Sequence, residues 1–245
     1  MTTSASDVEQ VAAELGQAHP SDILTQALAR HSPAITISFS GAEDVVLIDM
    51  ASRLGEPFRI FTLDTGRLHP ETLEFLETVR KHYEIEIEAF FPQPEPVQQL
   101  VREKGLFSFY DDGHQECCGM RKVEPLRRAL ADGVDAYVTG QCKDQSPGTR
   151  AEIPVVQLDP GFSVDPERPI VKWNPLANWS SAQVWQYILE QRVPYNPLHD
   201  RGFKSIGCAP CTRPTNPGEH ERAGRWWWEE ATKRECGLHM INLDD

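Results

Sequence analysis

The chain has 245 residues, of which 40% are apolar and 25% charged, with 24 Lys and Arg against 37 Asp and Glu and a formal net charge of -13. That length holds one sizeable domain with a peripheral extension, and that charge balance argues against phosphate-backbone binding by the surface as a whole, so no nucleic-acid partner is expected. No apolar run approaches the roughly 18 residues that span a bilayer, and no basic-then-apolar leader opens the chain. No membrane partner and a cytoplasmic location are therefore expected, where thiols stay reduced unless metal-bound or catalytic.

Residues 1–20 are small and polar and read as a variable N-terminal segment with an amphipathic helix. Residues 34–39 read as a buried strand, 44–53 as an apolar helix and 58–63 as a second strand. Pro70 suits the first position of a helix running to about residue 82. A third strand is expected over 85–90, helices over 96–104 and 118–130, and a short strand over 136–139 ending at Gly140. The stretch 141–165 reads as loop, 170–173 as a further strand, and Ser180-Ser181 as the cap of a helix through about Gln191. Residues 210–224, rich in Pro, Gly and charge, suit a mobile linker.

Strands alternating with helices imply an α/β fold: a mostly parallel twisted sheet flanked by helices, with right-handed crossovers. Ligands of such sheets sit beyond the strand C-termini, where Ser40, Leu63-Asp64 and Gly140 fall. The turn Ser38-Phe39-Ser40-Gly41-Ala42-Glu43-Asp44-Val45 has the make-up of a phosphate cradle, in which backbone N–H groups and the helix dipole face an anion. It lacks the Gly-Lys-Ser/Thr ending of a Walker A loop.

The cysteines carry the sharper signal. Cys117 and Cys118 are adjacent, Cys208 and Cys211 form a C-x-x-C pair, and Cys236 stands alone near the C-terminus. Adjacent cysteines fit a single zinc ion poorly, because neighbouring side chains diverge, whereas an iron–sulfur core takes each thiolate on a different iron. Iron–sulfur, zinc, a disulfide and plain buried thiols all remain open on spacing. A helix over this segment puts Lys122 on the face of Cys118. Lys233, Arg234 and His239 surround Cys236 in sequence and favour its thiolate.

Three segments together resemble the assimilatory adenylyl-sulfate (APS) reductases, the iron–sulfur-containing branch of the PAPS/APS reductase family. They are Cys117 through Leu126, Gly207 through Pro214, and Gly224 through Glu230 with Glu235-Cys236-Gly237-Leu238-His239. The likeness extends from about Ser38 to His239. It implies an adenine-nucleotide α-hydrolase-like domain over 21–215 and a flexible C-terminal tail over 216–245. It implies a 4Fe–4S cluster on Cys117, Cys118, Cys208 and Cys211, and Cys236 as the nucleophile. The reaction it implies takes APS to sulfite and AMP through an enzyme S-sulfocysteine, with thioredoxin as reductant, in sulfate assimilation toward cysteine. Ser40, Leu63, Gly140 and Arg150 match the family's nucleotide contacts. Lys122, Arg222, Arg225 and His239 match its phosphosulfate contacts. The alternative is a PAPS or dual APS/PAPS reductase, although the PAPS enzymes generally lack the two cysteine pairs. A homo-oligomer is left open. The chain departs from the family at Cys142, where a basic residue is usual, and an extra buried thiol is expected there. Trp226, Trp227 and Trp228 are expected to pack the tail onto the body.

Overall fold

The computed structural model describes residues 4–131, 133–146, 150–163, 165 and 168–230. Helix α1 (Ala5–Leu15), capped by Ser4, and α2 (Pro20–His31) precede the first strand, β1 (Ile35–Ser38). Helix α3 (Ala42–Leu54) follows at once and ends at Gly55, whose φ of 76° is open to glycine at little cost. Strand β2 (Arg59–Leu63), helix α4 (Pro70–Tyr83), the short strand β3 (Glu88–Phe90) and helix α5 (Pro94–Lys104) come next.

The helix expected over 118–130 is broken into three pieces. Helix α6 (Gln115–Cys118) runs into a π-helical turn, Gly119–Val123, and then into α7 (Glu124–Ala129). A π turn inside a helix widens it locally and is frequent at functional sites. Here it carries Arg121 and Lys122, both buried. Strand β4 (Ala136–Val138) follows. Strand β5 (Val156–Asp159) lies inside the stretch expected to be loop, and β6 (Ile170–Trp173) and helix α8 (Ser181–Gln191), capped by Ser180, complete the elements.

The six strands form one sheet in the order β3-β2-β1-β4-β6-β5. All neighbours are parallel except β5, which pairs antiparallel with β6, Val156 opposite Trp173. Strand β5 was missed because four residues of uneven burial carry little period-2 signal; its partner is what makes it a strand. Tyr137 on β4 donates its hydroxyl to Asp159 on β5 at 2.5 Å, across the intervening β6.

Alternation along the strands sends side chains to two cores. Ile35, Ile37, Ile60, Val138 and Trp173 join α2, α3 and α8 on one face. Phe61, Tyr137 and Ile170 meet Leu126, Ala129 and Leu130 on the other. Burial on both faces is what a largely parallel sheet requires. The chain runs outward from β1 through β2 to β3 and then returns to β4 on the other side of β1. The crevice between the C-terminal ends of β1 and β4 is thus the topological switch point, the ordinary place for a ligand in this architecture. Among the described residues no helix is long and apolar enough to cross a membrane.

Candidate active site

The crevice opens into a cleft walled by the turn after β1, the end of β2, the π turn, the residues after β4 and the segment 199–225. Seven of the eight residues expected to contact substrate line it: Ser40, Leu63, Lys122, Gly140, Arg150, Arg222 and Arg225. The eighth, His239, and the expected nucleophile Cys236 lie outside the described residues, as do Lys233 and Arg234.

The turn after β1 does not have the geometry of an open phosphate cradle. Asp44, on the first turn of α3, folds back into it. Its Oδ2 accepts from Ser40 N at 2.7 Å, Ser40 Oγ at 2.9 Å and Gly41 N at 3.0 Å, and its Oδ1 accepts from Gly140 N at 2.9 Å. The donors that would face an anion are taken by the protein's own carboxylate, which corrects the expectation drawn from the turn's composition. Burial pushes the Asp44 carboxyl up, and the four donors pull it back. Gly140 is needed for this closure: a Cβ there would stand 2.6 Å from Glu43 Cβ and 2.7 Å from Asp44 Oδ1.

Sequence reasoning assigned no role to Glu43, Gln141, Gln145 or Glu221 behind this turn. Glu43 is held by Gln145 Nε2 at 2.9 Å, and Arg150 Nη1 donates to Gln145 Oε1 at 2.6 Å. Burial, then the neighbouring Asp44 and Glu221, push the Glu43 carboxyl up to about 7, although its backbone and Gln145 hydrogen bonds oppose the shift. Gln141 borders the same cleft with its whole carboxamide buried and unpartnered. The Glu43-Asp44 dipeptide in a loop already singled out was the available signal; nothing in sequence brings Gln145 or Glu221 to it.

Arg225 enters from the far side. Its guanidinium lies 4.6 Å from the Trp226 ring centroid, Nη1 donates to Ile206 O at 3.2 Å, and Nε is buried without a partner. It rests on Gly207, where an added Cβ would meet Nη2 at 2.4 Å. A glycine immediately before Cys208 is therefore what lets the arginine reach the cleft.

Behind the cleft is a second, smaller pocket. Cys117, Cys118, Cys208 and Cys211 line it together with Phe109, His114, Arg67, Arg121, Lys122 and Trp226. Lys122 borders both pockets, with Nζ 5.7 Å from the Trp226 ring. Cys208 Sγ lies 3.2 Å from Thr65 Oγ1, and Arg121 Nη1 holds Thr65 O at 2.6 Å. Burial pushes the Cys211 thiol up to about 12, with Cys208 adding to it, and burial likewise raises Cys117 against the pull of Arg121 and Arg67. Arg67 Nη1, Arg121 Nε and Trp226 Nε1 are buried donors with no acceptor.

Four thiols ringed by unmatched cationic and indole donors fit a cofactor that binds thiolates and brings acceptors of its own, as an iron–sulfur cluster does through its sulfurs. Among the described residues no three His, Cys, Asp or Glu side chains are grouped to hold one metal ion. A cubane does not need them to be, since each thiolate takes its own iron.

The segment expected to be a linker is tied to this pocket. Arg213 pairs with Glu219 at 2.9 Å, Arg213 N donates to Gly224 O at 3.0 Å, and Trp226 N donates to Cys211 O at 3.1 Å. Trp226 is fully buried and stacks on His114 at 4.2 Å between ring centroids; His114 Nδ1 lies 2.7 Å from Glu229 Oε2. Trp228 Nε1 donates to Phe109 O at 3.1 Å, and Trp227 remains partly exposed. Trp226 and Trp228 thus pack the chain onto the body, as expected. Cys142 belongs to neither pocket. It is a buried thiol in the main core, its pKa raised well above the usual value by burial.

Residues 34–214 match the model of the phosphoadenosine phosphosulfate reductase domain family. The adenosine 5′-phosphosulfate reductase of Pseudomonas aeruginosa is 56% identical over 237 residues, covering 97% of this chain and 88% of that protein. The probable chloroplastic 5′-adenylylsulfate reductase 1 of Oryza sativa subsp. japonica is 58% identical over 241 residues; the match covers 98% of this chain, which spans 50% of that relative's length. The crystal structure of phosphoadenylyl-sulfate reductase from Candida auris superposes with a TM-score of 0.72 at 29% identity, over 87% of this chain and 99% of that one. With three-quarters of its length inside the family model and relatives above half identity, this chain belongs to the phosphoadenosine phosphosulfate/adenosine 5′-phosphosulfate reductase family.

Proposed function

We propose that this protein reduces APS to sulfite and AMP in sulfate assimilation. The observation that carries the reading is the cleft itself: seven contacts that the resemblance implies, from five chain segments, border one cavity, and Lys122 joins it to the four-cysteine pocket. The high identity to relatives named as APS reductases supports APS over its 3′-phosphorylated counterpart.

In this reading the Cys236 thiolate attacks the sulfur of APS. The bond between that sulfur and the bridging oxygen breaks, its electron pair stays on the departing AMP, and Cys236 becomes S-sulfocysteine. A dithiol reductant of the thioredoxin type then attacks the Cys236 sulfur, sulfite leaves with the electron pair of the S–S bond, and the reductant closes to its disulfide. A thiolate approaching a phosphosulfate meets like charge. Lys122, Arg222 and Arg225 border the cleft to offset it, each unit charge at about 4 Å amounting to ~4 kcal/mol at an effective dielectric near 20. Arginine suits the forked contact to sulfate or phosphate oxygens. Ser40, Leu63, Gly140 and Arg150 line the part of the cleft assigned to the nucleotide.

Cys117, Cys118, Cys208 and Cys211 would hold a 4Fe–4S cluster, which supplies a fixed charge and a rigid wall behind Lys122. The cytoplasm is the proposed location, because the cysteine pocket needs reduced thiols. Mixing the protein with APS in the absence of reductant, followed by mass spectrometry, tests the reading. A sulfo-adduct on Cys236, lost in Cys236→Ser, is expected. An adduct on another cysteine overturns the assignment.

A further inference from the structure

Gln141 and Gln145 both line the cleft, and they differ in what holds them. Gln145 is fully engaged within the protein. Its Oε1 accepts from Arg150 Nη1 at 2.6 Å and from Cys142 N at 3.2 Å, and its Nε2 donates to Glu43 Oε1 at 2.9 Å. Gln141 is only 2% exposed, yet neither its Oε1 nor its Nε2 has a partner among the described residues. The polar groups flanking it in the chain are committed elsewhere: Gly140 N to Asp44 at 2.9 Å, Thr139 Oγ1 to Asn174 Oδ1 at 2.7 Å and Lys143 Nζ to Asn178 Oδ1 at 2.9 Å. A buried carboxamide with neither atom matched is destabilising on its own, and on the wall of a cleft it marks a place that a ligand completes.

The chemistry of the carboxamide narrows what completes it. Oε1 only accepts and Nε2 only donates, so the partner must offer a donor and an acceptor side by side. A phosphosulfate offers acceptors alone. Its charge suits the basic end of the cleft, where Lys122 and Arg225 lie against Trp226 and the cysteine pocket. Gln141 follows Gly140 at the acidic end, where Glu43, Asp44 and Glu221 gather. In a sulfonucleotide every hydrogen-bond donor is on the nucleoside. The exocyclic amine of adenine stands beside ring nitrogens that accept, and the two ribose hydroxyls donate and accept. Either pair fits a flat carboxamide, and glutamine makes such a forked contact with adenine in DNA.

We propose that Gln141 is a specificity-determining residue, whose buried carboxamide takes a neutral donor–acceptor pair on the nucleoside of the substrate and so selects a nucleotide over a bare oxyanion. The inference rests on the sulfonucleotide reading of the cleft. The free chain holds the carboxamide unmatched and binding supplies its partner. The residue therefore lowers the stability of the free chain and raises its affinity for the nucleotide.

Gln141→Leu keeps the volume and removes both polar atoms, so a structural role and a binding role predict opposite shifts. Four nucleotides are titrated calorimetrically into the native full-length chain and the variant: AMP, purine riboside 5′-monophosphate, which lacks the exocyclic amine, 2′-deoxy-AMP and 3′-deoxy-AMP. The variant should bind AMP at least fivefold more weakly, while its free form melts no lower than the native chain. At least one analogue should bind the native chain at least fivefold more weakly than AMP and lose little further in the variant. If that analogue is the purine riboside, the base is the partner; if it is a deoxy nucleotide, the ribose is. A loss of AMP affinity below fivefold overturns the proposal. So does a variant whose free form melts lower, or one that weakens AMP and all three analogues alike, since each marks a structural role. If Gln141→Leu does not fold, Gln141→Met decides by the same criteria. A native chain that forms the sulfo-adduct with APS while the variant keeps native AMP affinity overturns this inference only. A native chain that binds no AMP and forms no adduct overturns the activity reading as well.

Discussion

The turn after β1 and the cysteine pocket, which lie on either side of Lys122, are opposites in hydrogen-bond balance. At the turn after β1, Ser40 N, Ser40 Oγ, Gly41 N and Gly140 N all have an acceptor, because Asp44 supplies it. In the cysteine pocket the acceptors are missing: Arg67 Nη1, Arg121 Nε and Trp226 Nε1 are buried and unmatched beside four thiols. Leaving a buried donor unmatched costs roughly 1–3 kcal/mol, so the turn is complete as the chain folds and the cysteine pocket is not. The contrast explains why the turn can act as a fixed wall. It also explains why the segment 207–230, which closes over the cysteines, should depend on what the thiols hold.

The harshest way to break the contrast is to remove one thiol. Cys208→Ser, prepared anaerobically, should lose most of its iron and sulfide and the visible absorption that goes with them. Trp226 and Glu229 pack against the same pocket, so proteolysis in 207–230 should quicken several-fold. Full iron retention would count against the four-cysteine assignment. Next in size is Lys122→Ala, which takes away the cation shared by both pockets. Turnover of APS should fall about 100-fold or more while iron content stays near native; parallel loss of iron would make Lys122 structural instead.

The smallest effect sharpens the acidic side. Glu43 has a folded pKa of about 7 against an ordinary 4.5. Its protonated form is the one the fold favours, so that contribution is complete below pH 4.5 and is lost as pH rises through about 7. Glu43→Gln is spared this loss. The thermal midpoint of the variant relative to the native chain should therefore rise by a few degrees between pH 5 and pH 8. A difference that stays flat would mean Glu43 is not buried as charged.

The phosphate-cradle expectation shows where the sequence misleads. Ser40-Gly41-Ala42 has the small, polar make-up of an anion-binding turn, and that make-up is what a turn wrapped around an internal carboxylate also needs. Asp44 was visible beside it, but Gly140, which supplies the fourth donor, is 96 positions away. Residues 210–224 misled for the same reason: Pro, Gly and charge speak of a loose chain, while the Arg213–Glu219 pair and the Thr212–Arg225 bridge hold this one down. The break in the helix over 118–130 has no periodic mark either. The apolar spacing is continuous, and only the packing of Arg121 and Lys122 into the two pockets makes the wider turn useful.

By itself the sequence determined the order of most strands and helices, the mostly parallel sheet and, through its resemblance, seven of the residues of the cleft. Hydrophobic periodicity is local, and the three cysteine-bearing segments are written side by side with their basic partners. Tertiary structure alone decided which donors are already filled, that β5 pairs antiparallel with β6, and that Lys122 stands between two pockets. Those facts depend on groups tens of residues apart meeting at hydrogen-bond distance, which no local pattern encodes.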